Sequence, residues 1–367
     1  MDNDNQQQKH EEVQQRAFLL CKEYLHGVWN SISQNDMHIK KISGGLSNLL
    51  YLCSLPAEVS PSGNEPSCVL LRLYGQVRGE TEEALAGLLT EAVIFTLLSE
   101  KQRGPRLLGV FPGGRLEEYI PARPLLTREL QDSRLSGMIA AKLAQIHAMD
   151  VPINKHPHWL WNTMNRWLEN ILEMKPSLTK PAEAAMLSDF LACDLEQEMR
   201  WLKRELEDVE SPAVFCHNDL QEGNILLREL DQEVVVIDFE YSAYNYRGFD
   251  IANHMCEWVF DYTCPHPPYF TANHQNYPSL QQQQFFARKY LEALPESEGS
   301  CTDEEVEQLL TEARIFTLAS HFFWALWSVV NGAVSTIPFD YWVYGKARFE
   351  AYYKHKHHLI NTQQVNP

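Results

Sequence analysis

The 367-residue chain lacks any run of eighteen apolar residues, so no segment reads as a helix long enough to cross a bilayer. Its longest apolar stretch, 315–330, carries His321 and several hydroxyls and reads as a buried helix. The first residues, Asp/Asn-rich and then a run of glutamines, have neither the basic region nor the apolar core of a secretory signal. Two phosphate-binding signatures are missing as well. Without GxxxxGK[ST] a P-loop NTPase loses its motif, and without GxGxxG a dinucleotide fold loses its own. The eight cysteines form no CxxC pair, and Cys216, His217, Cys256 and Cys264 match no common zinc spacing. Reduced thiols in a cytoplasmic protein are the expectation. Positive charge is scarce, with 31 Lys+Arg against 49 Asp+Glu and a formal net charge of −18. That balance argues against nucleic acid or an anionic membrane held by charge, and no integral membrane association is expected.

What is present suffices for a sizeable core: 44% of residues are hydrophobic and 11% aromatic. The length suits one large domain or two lobes. Residues 1–12, rich in Gln, Asn and Asp, read as a disordered tail. A helical pattern covers 13–29. Two strands follow across 38–54, interrupted by Ser43-Gly44-Gly45-Leu46-Ser47-Asn48. A third strand spans 68–74 with Arg72 in its middle, a helix bearing Glu91 spans 85–100, and a hairpin joins 107–111 to 115–120. Thereafter the pattern is mostly helical, at 135–149, 159–174, 181–206 and from about 246 onward, with short strands at 224–227 and 234–239. The expectation is an α+β, two-lobed chain. A small β-rich lobe at 13–122 precedes a large, mainly helical lobe at 123–367.

The strongest signal is Cys216-His217-Asn218-Asp219-Leu220-Gln221-Glu222-Gly223-Asn224, followed by a Val-rich strand running into Asp238-Phe239-Glu240. Kinase catalytic loops read HRDxxxxN, with a metal-binding DFG one short hairpin later. His217, Asp219, Asn224 and Asp238 fall at those spacings. Phosphoryl transfer needs a carboxylate to orient the acceptor hydroxyl and take its proton, for which Asp219 is placed. Magnesium on nucleotide phosphates needs hard oxygen ligands, which Asn224 and Asp238 offer. Taken singly, Asp219 reads as a turn residue and Asp238 as a strand-end cap. The four residues together are not accounted for that way. Gly44 and Gly45 permit backbone amides to approach phosphate closely, although a Gly-Gly turn alone is more often a plain hairpin. Arg72 stands where a kinase strand carries a phosphate-holding Lys, with Glu91 as the expected helix partner; the bland alternative is an exposed edge-strand Arg. Asp250, in Arg247-Gly248-Phe249-Asp250, reads as a helix cap or a brace for the catalytic loop.

The stretches SGGLSNLL (43–50), VLLRLYG (69–75), GRLEEYIPARP (114–124), FCHNDLQEGNILL (215–227), IDFEYSAYNYRGFDIANHMCEW (237–258) and ASHFFWALWS (319–328) resemble choline/ethanolamine kinases. The likeness runs from about residue 16 to 353 and is nearer to choline kinases than to dedicated ethanolamine kinases. It implies a protein-kinase-like fold, ATP and Mg2+ as cofactors, and a homodimer. It also implies that Ser43, Gly44, Gly45, Leu46, Ser47, Asn48, Leu49 and Arg72 contact nucleotide phosphates. Glu118, Tyr119, Ile120, Pro121, Ala122, Arg123 and Pro124 would form the inter-lobe strand receiving adenine, with Gln221 at the same nucleotide site. The atypical segment 76–88 puts regulation and fine substrate preference, not the reaction, in doubt.

A quaternary ammonium donates no N–H, so aromatic faces and nearby carboxylates must hold it. Trp324 and Trp327 share one helix face. The resemblance adds Tyr241, Tyr262, Phe339 and Tyr344, with Glu240 and Glu257 as the acidic component. The bland alternative makes this aromatic stripe core. The implied reaction is ATP-dependent phosphorylation of choline, and of ethanolamine, the first step of phosphatidylcholine and phosphatidylethanolamine synthesis. An ethanolamine-preferring kinase and a kinase-shaped, non-catalytic scaffold are the rivals.

Overall fold

A computed structural model describes residues 2–42, 48–61, 63–74, 82–174, 181–335 and 337–365. The chain divides into two compact units, Met1–Ala122 and Arg123–Pro367.

In the first unit, α1 (Asp2–Tyr24) leads into β1 (His38–Ile42), β2 (Asn48–Ser54), β3 (Cys68–Tyr74), α2 (Glu82–Glu100), β4 (Leu107–Phe111) and β5 (Gly114–Glu118). The helix starts at Asp2 rather than at residue 13. The Gln, Glu and Lys residues that offer no apolar face are still good helix formers. The strands form one antiparallel sheet in the order β1-β2-β3-β5-β4. Period-two alternation sends Val69, Leu71 and Leu73 to one face, where they join Tyr51, Cys53 and Leu116. Ala17 and Cys21 of α1, with Leu25 just beyond it, belong to the same core.

The opposite face carries charge. Arg72 lies directly across the ladder from Arg115, and both are buried. Two like charges in that position repel, and Glu117 sits between them. Its Oε1 accepts from Arg72 Nε at 3.1 Å and its Oε2 from Arg115 Nε at 3.5 Å. Glu91 of α2 bonds Arg115 Nη1 at 2.5 Å. The helix carboxylate expected on Arg72 is thus found on its cross-strand neighbour, because Glu117 is presented to Arg72 by the sheet itself.

The second unit contains β6 (Ala122–Pro124), which straddles its start, then α3 (Ser133–His147), α4 (Trp159–Glu173), α5 (Pro181–Ala192), α6 (Leu195–Glu207), β7 (Ala213–Cys216), β8 (Ile225–Arg228), β9 (Val234–Val236), β10 (Ala243–Tyr246), α7 (Arg247–Glu257), β11 (Phe260–Asp261), β12 (Thr271–Ala272), α8 (Leu280–Glu292), α9 (Asp303–Val334) and α10 (Tyr341–Val365). The single helix expected over 181–206 is two. Asp194 leaves helical geometry and its carboxylate accepts from Gln197 N, starting α6 anew. β9 ends at Val236, short of residue 239, because Asp238 turns to φ 63°. Strands β7 and β10 escaped the sequence pattern; they pair antiparallel and frame the loop before β8.

The organising element is α9. Thr302 and Glu305 close its start in a capping box. By length and composition it could cross a membrane, yet 78% of its apolar window is buried inside the protein. Its neighbours include α4, α6, α7, α8 and α10. Arg247 donates to Glu312, fixing α7 to α9 at the loop end.

One close approach is testable. A Cβ built on Gly114 would lie 2.2 Å from the backbone oxygen of Arg72, which cannot swing aside. Gly114→Ala should therefore destabilise the protein by about 2–3 kcal/mol, read as a lowered urea midpoint. An unchanged midpoint would show that the strands separate there at little cost.

Candidate functional site

The loop from His217 to Asn224 connects β7 to β8, and its shape is set from below by Asp250 on α7. The Asp250 carboxylate accepts from His217 N at 2.7 Å, Asn218 N at 2.8 Å and His147 Nε2 at 3.0 Å. His147 Nδ1 in turn meets the Tyr290 hydroxyl at 2.8 Å. Burial alone would push Asp250 up, but the bond and charge of His147 hold its carboxyl below the usual carboxylate range. The N-cap of α7 is Tyr246, so Asp250 is a brace and not a cap.

His217 passes that order on. Its Nε2 donates to Ile237 O at 2.9 Å, which leaves Nδ1 to accept from Asp219 N at 3.2 Å. One neutral imidazole therefore positions the chain at Asp219 and immediately before Asp238. Burial lowers its affinity for a second proton. Asn224 Nδ2 donates to Asp219 O at 2.8 Å and Oδ2 at 3.0 Å, and Ile237 N donates to Asn224 O at 3.0 Å. With its amide nitrogen committed to Asp219, Asn224 directs Oδ1 elsewhere. Together with the Asp238 carboxylate this is an all-oxygen donor set, the type that suits Mg2+. Burial pushes the Asp219 carboxyl well up, and the charges of Glu257, Asp238 and Glu240 add to the effect. Cations entering the site relieve that repulsion.

Asn218, held at φ 68°, joins this loop to an aromatic wall. Its Nδ2 donates to Tyr241 O at 2.9 Å, and its Oδ1 accepts from Asn245 Nδ2 at 2.8 Å. Its backbone oxygen accepts from Asn253 Nδ2 at 3.4 Å, while Asn253 Oδ1 accepts from Trp324 Nε1 at 2.7 Å. Trp327 Nε1 donates to the Tyr241 hydroxyl at 3.0 Å. The two indoles meet edge to face at 5.3 Å, and Trp327 stands 6.4 Å from Tyr344. Phe339 packs against Tyr262 at 6.3 Å and Tyr344 at 5.4 Å. Trp324 and Tyr344 are buried, whereas Tyr241, Tyr262, Trp327 and Phe339 keep part of their surface open.

The chain that carries this loop and this aromatic wall is similar to known proteins. The family model described as choline/ethanolamine kinase covers residues 39–353. A choline/ethanolamine kinase of Homo sapiens is 46% identical over 96% of this chain and 88% of its own length. Choline kinase alpha of Mus musculus is 44% identical, covering 95% and 82%. The chain belongs to the choline/ethanolamine kinase family. Among solved structures, a choline kinase of Cryptosporidium parvum is 28% identical with a TM-score of 0.77, covering 96% of this chain and 98% of that one. The fold is accordingly protein-kinase-like, with a β-sheet N-terminal region and a mostly helical C-terminal region, and the family is one of ATP-using enzymes.

Against that family pattern, the structure brings Asp219, Asn224, Asp238, Glu240, Tyr241, Glu257, Tyr262, Trp324, Trp327, Phe339 and Tyr344 into the second unit. Gln221 opens the short 3-10 turn Glu222–Asn224, its Oε1 accepting from Gly223 N at 2.7 Å. Glu240 is exposed, but Glu257 is buried on Arg348. Ser43, Gly44, Gly45, Leu46 and Ser47 lie outside the described residues, as does the side chain of Asn48; Leu49 is exposed on β2. Arg72 belongs to the first unit with Glu91. Glu118 accepts from Arg106 N, Tyr119 and Ile120 are half-buried, Pro121 is exposed, and Arg123 of β6 pairs with Glu129.

Three polar residues around this loop and wall escaped sequence reasoning. Arg348 left one signal, a lone Arg four residues from Tyr344 amid the aromatics of α10. Asn253 left none beyond its place in a resembling stretch. Glu222 looked like loop polarity, yet it is buried, its Oε1 takes the Thr127 hydroxyl at 2.9 Å, and burial pushes its carboxyl up to about 8.

His254 gives a pH test. Its Nδ1 donates to Leu220 O at 2.9 Å, next to Asp219, and its Nε2 accepts from Trp258 Nε1 at 3.3 Å. The ring must stay neutral, and burial brings it down to about 4. The unfolded chain takes up that proton near pH 6.5, so stability is whole above about 6.5 and declines as pH falls toward 4. His254 alone should remove about 2 kcal/mol between pH 7 and 5. Urea unfolding of wild type and His254→Asn at both pH values checks this; equal slopes would refute it.

Proposed function

We propose that this protein transfers the γ-phosphoryl group of ATP to the hydroxyl of choline, and also to that of ethanolamine, the first step of making the corresponding phospholipids. The observation that carries it is the continuity of catalytic loop and aromatic wall through Asn218. One rigid hydrogen-bonded unit presents a proton-accepting carboxylate and a surface for a cation together. Asp219 orients the substrate hydroxyl and takes its proton as the oxygen attacks phosphorus in line and ADP departs. Asn224 Oδ1 and Asp238 would hold Mg2+, which would supply positive charge against the nucleotide phosphates. Arg72, held in place by Glu117, and residues 43–49 would contact the phosphates. The family resemblance gives the stretch 118–124 to adenine and Gln221 to the nucleotide.

Trp324, Trp327, Tyr241, Tyr262, Phe339 and Tyr344 would form the cation wall, with the exposed Glu240 adding negative charge and the Glu257 charge matched by Arg348. A homodimer working in the cytoplasm accords with this reading. An ethanolamine-preferring enzyme would need open acceptors for three N–H groups, and the carboxylate of Glu257 already has two donors.

The decisive assay is ADP release from purified protein with ATP and Mg2+, run with choline, with ethanolamine and with no acceptor. Choline should give the fastest turnover; silence with both amino alcohols would leave the scaffold reading. Asp219→Ala should lower kcat by about 10²–10⁴ with circular dichroism unchanged. Trp327→Ala should raise the choline KM about tenfold, the loss of ~1.4 kcal/mol of cation–ring attraction. An equal effect on choline and on a neutral alcohol would argue against a cation wall.

A further inference from the structure

Arg348 of α10 is fully buried beneath the aromatic wall, a place where a permanent cation needs a reason to be. Its Nη2 donates to Glu257 Oε1, while the Tyr262 hydroxyl donates to Oε2 at 2.7 Å. Its Nε and Nη2 donate to the Tyr344 hydroxyl at 2.9 and 2.6 Å. A guanidinium only donates, so Tyr344 accepts from it and keeps its own proton. The proton of Tyr262 is committed to Glu257. The 2.7 Å contact between the two hydroxyls is then Tyr344 donating to Tyr262. Donors therefore run in one direction, from Arg348 through Tyr344 and Tyr262 to Glu257. The guanidinium also lies 4.0 Å from the Phe260 ring centroid and 5.1 Å from that of Tyr344.

We propose that Arg348 is a specificity-determining residue: from inside the protein it and the tyrosine hydroxyls it orders engage the Glu257 carboxylate, leaving a wall of ring faces that suits a quaternary ammonium better than a primary one. A primary ammonium taken out of water needs an acceptor for each of three N–H groups. On this wall the Glu257 oxygens and the hydroxyl oxygens of Tyr241, Tyr262 and Tyr344 already receive protein donors. A quaternary ammonium asks for none of them and is held by the aromatic faces. Glu240 is solvent-exposed, and its charge acts on either cation alike. This inference rests on the choline-kinase reading and on the cation sitting at this wall.

The test is the ratio of kcat/KM for choline to that for ethanolamine, measured on one preparation so that the folded fraction cancels. Arg348→Met opens Oε1 of Glu257 and the Tyr344 hydroxyl, and the ratio should fall about tenfold, the worth of one hydrogen bond to a charged group. Because that variant leaves Glu257 buried without its counter-ion, Tyr262→Phe is made as well. It keeps the ring and the Arg348–Glu257 pair, opens only Oε2, and should lower the ratio about threefold. A fall in Tyr262→Phe supports the proposal where Arg348→Met does not fold. An unchanged ratio in Tyr262→Phe with choline turnover retained overturns it, as does an unchanged ratio in folded Arg348→Met. Absence of choline-dependent ADP release in the wild type is a separate result, which removes the functional reading beneath.

Discussion

Under the loop that carries Asp219, one ionised carboxylate is closed off from solvent and accepts from two successive backbone amides. Burying the Asp250 charge is unfavourable unless its lone pairs are filled. The His217 and Asn218 amides and the His147 ring fill them. The amides would be equally costly to leave unmet. Each side compels the other, and the chain must turn at Asn218 for both amides to reach. The positive φ of Asn218 is the backbone consequence. From that turn the imidazole of His217 reaches both Asp219 N and Ile237 O, and the side chain of Asn218 reaches Tyr241.

Charge is handled by one rule in both units: where a charge is buried, its partner arrives with the fold. Arg72 and Arg115 face each other across a ladder and share Glu117. Arg247 meets Glu312, and Arg348 meets Glu257. Asp219 and Glu222 are exceptions: among the described residues their carboxyls are met by neutral donors, the Asn224 amide and the Thr127 hydroxyl, and Asp219 is desolvated among other carboxylates. A site left net negative in this way is arranged to receive cations, and both the substrate class and the metal proposed for it are cations.

Local signals carried a large share. The loop spacing His217, Asp219, Asn224 and Asp238 was legible because kinase catalytic loops place those residue types at fixed intervals along the chain. The β-rich and helical regions were legible because periods of two and 3.6 residues survive any tertiary context. Boundaries failed where a polar side chain overruled the pattern, as Asp194 does by splitting one expected helix into two. Strands β7 and β10 failed because each is only four residues long and pairs with a partner far along the chain.

The sequence by itself determined the family, the reaction-bearing loop and the aromatic supply, since each is written in contiguous residues. Tertiary structure alone decided which buried charges meet. Glu91 and Glu117 are equally plausible partners for Arg72 on paper, and only the register of β3 on β5 assigns Glu117. In the same way Glu257 read as a carboxylate open to substrate until α10, ninety-one positions away, placed Arg348 against it. The reason is physical: a buried ion pair is chosen by distance in three dimensions, and nothing in local sequence encodes that distance.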